Sequence, residues 1–185
     1  MNRPPVRDAD RTRARLLRAA RGRFKRLSFE DVTLRDIASD AGVDASLINR
    51  YFGAKESLYR EAFASLGTGL KLLDGPREDF GEVVARAVLD PFSGDDLTDG
   101  ILIVMRAIGS PHAIQIVKDT ADAWNAALQD WIGRPDAEQR AFLITSLILG
   151  VVLEYELRGG PGSEAALSGI RTRLARTLQD YLDAD

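Results

Sequence analysis

Apolar side chains recur along this chain at intervals of three and four residues, the spacing that gathers them on one face of a helix. No segment keeps the strict alternation of a half-buried strand. Between Asp10 and Leu27 the stripe is Leu16, Leu17, Ala20, Phe24 and Leu27, in a segment whose other face is rich in arginine. Residues 28–32 interrupt the period. Thr33 then stands where an N-cap belongs, and the helix it opens, LRDIASDA, stops at Gly42, a residue that takes left-handed backbone without strain. A third helix is expected from about Ala45 to Tyr51. A fourth begins near Lys55 and turns Leu58, Tyr59, Ala62, Phe63 and Leu66 inward, with Gly67 and Gly69 weakening its end.

Beyond Gly75-Pro76 the same spacing predicts helices at about 78–89, 97–109, 112–132, 136–158 and 163–182. They are parted by Pro91, Gly94, Pro111, Pro135 and the run Gly159-Gly160-Pro161-Gly162. The chain therefore reads as an all-α protein of eight or nine helices, without internal repeats. A three-helix N-terminal module (1–54) precedes a C-terminal helical domain (55–185).

Composition narrows the function classes. A chain of 185 residues can bury roughly 70% of its unfolded surface, enough for a substantial core. It has no Cys and one His, His112, which excludes disulfide frameworks, thiolate zinc sites and thiol nucleophiles; no metal site and no cofactor is expected. The opening residues, MNRPPVRDADRTR, are charged where a signal peptide would be apolar, and no apolar run reaches the roughly 18 residues of a membrane span. A cytoplasmic location with no membrane partner is the expectation. The net charge of −3 conceals a polarity: residues 1–60 hold 14 basic and 8 acidic side chains, residues 61–185 hold 11 and 20. Such asymmetry points to a basic module that meets a polyanion, joined to a part that does not.

The stretch from Leu34 to Tyr51 supplies the side chains a helix-turn-helix needs. Ile37, Ala41, Val43 and Ile48 are apolar where the two helices meet, Ala38 is small where their backbones come closest, and Gly42 occupies the turn. The outward positions are then Asp44, Ala45, Ser46, Asn49 and Arg50, from which a recognition helix reaches the major groove of double-stranded DNA. Asn pairs bidentately with adenine and Arg with guanine.

The segment VTLRDIASDAGVDASLINRYFGAKESLYREAF closely resembles the DNA-binding domain of TetR-family repressors, including the pair Tyr51-Phe52 and the Lys55 that opens the following helix. The resemblance is motif-level over residues 10–63 and architectural beyond. It implies that Thr33, Tyr51 and Lys55 contact phosphates while Ser46, Asn49 and Arg50 approach bases. A lysine at a helix start agrees with this, since amides there already favour an anion. Asp44 and Leu47 stand where many relatives carry Ser and Thr, and Asn49-Arg50 where Tyr is common; these departures bear on the operator sequence and not on the fold. Arg3, Arg7, Arg11 and Arg13 form a candidate arm along the DNA backbone or into the minor groove.

In the C-terminal part, residues 141–153 are apolar almost all round and require cover on every side. The last helix carries one stripe, Leu167, Ile170, Leu174, Leu178 and Tyr181. The GGPG run between them reads as a helical-hairpin turn, since neither the strand nor the Gly-Lys of a phosphate loop accompanies it. The resemblance implies a homodimer in which these two helices pair with their symmetry mates through Ile148, Val152 and the stripe. It also implies a small-molecule effector, with Phe63, Leu102, Met105, Arg106, Ile108, His112, Ile116, Trp124 and Tyr155 as candidate lining. Arg106, a lone charge inside ILIVMRAIG, either pairs with a carboxylate or awaits a polar ligand group. His112, directly after Pro111, also reads as a residue that starts a helix.

The leading expectation is thus a ligand-responsive transcriptional repressor. A DNA-binding regulator without a ligand is the nearest alternative. A helical-bundle enzyme is disfavoured: Glu154 and Glu156 lack the Glu-x-x-His partners of a di-iron bundle, and Gly67-Thr68-Gly69 lacks the strand and further glycine of a dinucleotide site.

Overall fold

Caps and breakers divide the chain into helices. In the computed structural model, which describes residues 6–66, 69–90 and 96–183, these are α1 (Val6–Phe24), α2 (Leu34–Ala41), α3 (Ser46–Phe52), α4 (Lys55–Ala64), α5 (Phe80–Leu89), α6 (Asp96–Ala107), α7 (Ala113–Ile132), α8 (Ala137–Arg158) and α9 (Glu164–Asp183). Short 3-10 turns at Leu70–Leu73 and Arg77–Asp79 precede α5, and no strand occurs among the described residues. Arg3 of the candidate arm, with the expected breaks at Gly67, Pro91 and Gly94, lies outside the described residues. Helix α1 starts at Val6 and not at Asp10, so Arg7 joins Arg11 and Arg13 as a helical residue. Arg13 lies over the Phe52 ring at 5.4 Å and pairs with Glu61 of α4.

The described residues form two units: the first runs to Leu66 and also takes in Leu102–Asp119, and the second comprises the remainder. Helix α4 and the corner between α6 and α7 thus group with the helix-turn-helix. In the first unit Leu16, Ala20 and Phe24 of α1 share a core with Ile37 of α2, Ile48 of α3 and Leu58 of α4. The rings of Phe24, Phe29 and Tyr59 close one end of it, with Tyr59 edge-on to both phenylalanines at 4.7 and 5.3 Å. Burial raises the Tyr59 phenol pKa well above its ordinary value.

The α6–α7 corner is fixed by Ser110, which is buried. Its hydroxyl accepts the Ala113 amide at 3.1 Å, capping α7, and donates to Glu30 at 2.7 Å. Pro111 then occupies a first-turn position where a missing N–H costs nothing. The His112 ring stacks on Phe29 at 5.8 Å, with Nδ1 3.5 Å from Glu30.

In the second unit α5 and α9 share the most extensive helix contact. At Gly81 a Cβ would stand 2.1 Å from the Ala175 carbonyl oxygen. Gln179 spans this crossing: its amide oxygen accepts the Gly81 N–H at 3.0 Å and its nitrogen donates to the Arg77 carbonyl at 3.1 Å. Helix α8 ends at the left-handed Gly159 (φ 75°), and the Tyr155 ring covers Gly160, where no side chain would fit. The GGPG run is thus the turn between α8 and α9.

Candidate nucleic-acid interface

Helix α2 is defined at both ends by its own sequence. The Thr33 hydroxyl accepts the Asp36 amide at 3.2 Å and donates to the Asp36 carboxylate at 2.6 Å, while that carboxylate accepts the Thr33 amide, a closed capping box. These bonds hold the Asp36 carboxyl below its usual range. At the other end Gly42 takes φ 61°, and its N–H reaches back to the carbonyls of Ala38 and Ser39. Arg15 of α1 donates to the Ala41 and Gly42 carbonyls, placing a cation at the negative end of the helix. Arg23 grips Asp40 with two bonds, at 2.6 and 2.7 Å, and so ties α1 to α2.

This scaffold fixes the orientation of α3. Ile48 and Phe52 are buried, and Val43, Ala45 and Tyr51 pack against the same core. Asp44, Ser46, Asn49 and Arg50 are exposed. The outward face is narrower than the sequence pattern indicates, because Ala45 and Tyr51 lean inward. The Asp44 carboxylate is hydrogen-bonded by the Ser46 hydroxyl and accepts the Ser46 amide at 2.8 Å, and together these bonds hold its carboxyl below its usual range. Thr33 is exposed, but its hydroxyl is engaged with Asp36. The Lys55 ammonium rests 4.4 Å from the Phe29 ring centroid, and burial lowers its pKa despite the nearby Glu30, Glu56 and Asp31.

The residues expected to line an effector cavity fall in both units. Phe63 and Ile116 are buried in the first unit's core. Leu102 and Met105 are half-buried, and Ile108 is exposed. Arg106, a candidate for a carboxylate partner or a polar ligand group, is exposed, because α6 turns Ile103 and Ala107 inward and leaves position 106 outside. It shares a shallow pocket with Ser28, Glu30, Ser110 and His112. In the second unit Trp124 donates to the Thr145 hydroxyl at 3.1 Å. Tyr155 instead lines a largely apolar groove of about 480 Å³ with Leu89, Leu147, Val151 and Ile170.

The residues expected between subunits are also redistributed. Ile148, Val152, Leu174 and Leu178 are buried in their own unit, Leu167 and Tyr181 are half-buried, and Ile170 alone of this set is exposed. An all-round apolar helix has two faces to cover. The protomer covers one with Ala141, Ile144, Ile148 and Val152, leaving Phe142, Leu143, Leu153 and Leu157 in solvent. Sequence reasoning missed these four because all-round apolarity hides which face is inward. It also missed Ser110, whose signal was present as a Ser-Pro pair at a helix start.

Known proteins match the chain in both halves. Residues 16–62 match the family model "Bacterial regulatory proteins, tetR family", and residues 78–182 match "Tetracyclin repressor-like, C-terminal domain". The HTH-type transcriptional regulator BetI of Agrobacterium fabrum is 26% identical over 166 residues, covering 83% of this chain and 77% of that protein. The crystal structure of a putative transcriptional regulator from Pseudomonas aeruginosa PAO1, 26% identical, superposes with a TM-score of 0.64 over 91% of both chains. A putative TetR-family regulator from Rhodococcus sp., 15% identical, shares the fold with a TM-score of 0.73 over 94% of this chain and 100% of that one. Matched by its helix-turn-helix and then by its C-terminal helices, in the order in which the family joins them, the chain belongs to the TetR family of bacterial transcriptional regulators.

Proposed function

We propose that the protein is a homodimeric repressor that holds a two-fold symmetric operator and is released by a small-molecule effector. The observation that carries the reading is the division of α3, with Ile48 and Phe52 anchored in the core while Ser46, Asn49 and Arg50 face solvent. A helix so held presents polar side chains at a fixed angle, which base readout in the major groove requires. Asn49 and Arg50 read base edges. Lys55 supplies a phosphate contact by exchanging the Phe29 ring for the DNA backbone. The second copy docks on the exposed apolar face of α8 with Ile170 of α9, and a two-fold dimer then sets the spacing of the half-sites. Release follows if the effector binds the non-operator arrangement of the dimer more tightly, since a ligand regulates only through differential affinity for two states.

The test is selection of bound duplexes from a random pool, followed by affinity measurements over a range of salt. A palindromic site is expected. Asn49→Ala should relax preference at one or two symmetric positions, each worth about 1–3 kcal/mol, with the salt dependence unchanged. Lys55→Ala should weaken all sequences alike and shrink the log–log salt slope by about 0.9 per contact, or about 1.8 per dimer. If the two variants behave identically, α3 is not the recognition helix. Thermal shifts across a metabolite library, followed by operator affinity with each stabilising compound, test the effector.

A further inference from the structure

The helix that carries Ser46, Asn49 and Arg50 has an acidic residue at its leading end. Asp44 is exposed, and the Ser46 amide fixes one of its carboxylate oxygens at 2.8 Å, so the group has a defined orientation. Asp40, nearby in the motif, is neutralised by two bonds from Arg23. Asp44 has no cationic partner among the described residues, and its charge stays uncompensated on the face that approaches DNA. The bond to the Ser46 amide does not require that charge, because the side-chain oxygen of Ser or Asn accepts an amide as well.

A carboxylate with no cationic partner at a phosphate-lined groove is repelled unless it meets a further hydrogen-bond donor there. In the major groove the exocyclic amine of cytosine is such a donor, and an acidic side chain pairs with it through N4. Arg and Lys, which pair with guanine, cannot take this role, and a serine there would leave the position without a charge preference.

We propose that Asp44 is a specificity-determining residue that accepts from cytosine N4 once in each half-site and penalises DNA lacking cytosine there. The inference rests on α3 being the recognition helix. It makes Asp44 a two-sided filter: attraction for one base, and repulsion that lowers affinity for all other sequences.

The experiment selects sites from a random pool with the full-length wild type, Asp44→Asn and Asp44→Ser, and measures affinity for the selected and for scrambled duplexes. Both substitutions keep a side-chain oxygen for the Ser46 amide. Wild-type sites should carry cytosine at a symmetric pair of positions distinct from those relaxed in Asn49→Ala. Asp44→Asn should replace that cytosine by adenine, the base an amide side chain pairs with. Asp44→Ser should lose the preference without gaining another. Both variants should bind scrambled DNA about five-fold more tightly per half-site, or about 25-fold per dimer, the effect of removing in each half one unit charge about 4 Å from another in water. Unchanged site and scrambled-DNA affinity in both variants would reduce Asp44 to a partner of the Ser46 amide and overturn the proposal, even with Asn49→Ala behaving as expected. Wild type that selects no sequence at all overturns the recognition-helix reading, and this inference with it.

Discussion

Carboxylates make the polar joints of the first unit, and each is held by a named donor. Asp40 takes two bonds from Arg23, Asp36 the hydroxyl and amide of Thr33, and Glu30 the hydroxyl of Ser110; in every case the bond lowers the carboxyl pKa. A group whose folded pKa lies below its unfolded value contributes stability that is complete above the unfolded value, about 4, and lost as pH falls through the folded value. Thermal midpoints should therefore hold from neutral pH down to about 5 and then decline steeply. Asp40→Asn should lower the midpoint at neutral pH and flatten the acid decline. An acid limb identical to the wild type would remove Asp40 from the account. On the alkaline side Tyr59 acts with opposite sign: its raised pKa means that stability is intact below about pH 10 and falls above it.

At the scale of elements, two glycines inside helices have opposite consequences. Gly81 lies where α5 crosses α9, and an added methyl would meet the Ala175 carbonyl oxygen at 2.1 Å. Backbone cannot give way as a side-chain tip can, so Gly81→Ala should separate the helices and break the Gln179 bridge. The cost should reach the upper part of the about 1–3 kcal/mol typical of overpacking, lowering the thermal midpoint by roughly 2–4 °C per kcal/mol. Gly22 in α1 has only the far end of Arg26 near, at 3.9 Å. Gly22→Ala should stabilise by about 0.5–1 kcal/mol through the helix preference of alanine. Calorimetry on both variants checks the pair, and equal shifts of one sign would rule out the close crossing as the cause.

For the whole molecule the unfilled requirement is cover for α8. Phe142 and Leu157 are 70% and 72% exposed, and between them Ser146 and Gly150 leave room for a close approach, with nothing within 4 Å of a Cβ built on Gly150. An exposed apolar stripe of this length marks an interaction surface. Phe142→Asp with Leu157→Asp should give monomers in sedimentation that keep their helical circular dichroism and cooperative unfolding. Ile148→Asp, on the opposite and buried face, should unfold the chain by placing a charge in the core. A double variant that remained dimeric would move the interface away from this stripe.

Much of the fold was legible in the residues. Thr33 and Gly42 bound α2 as read, α8 and α9 meet at the GGPG turn, and the helix-turn-helix core positions Ile37, Ala38, Ala41 and Ile48 are all buried. These features are local: caps, turns and helical periods are settled between residues a few positions apart, so the chain needs no distant partner to specify them. What the period leaves open is which neighbour covers each face. Tertiary packing alone put Ile148 inside and Phe142 outside, left Arg106 in solvent, laid Lys55 on Phe29 and set the Gln179 amide against Gly81. The spacing of apolar residues fixes their angles around a helix axis, while contacts between residues far apart in the chain decide which of those angles become core.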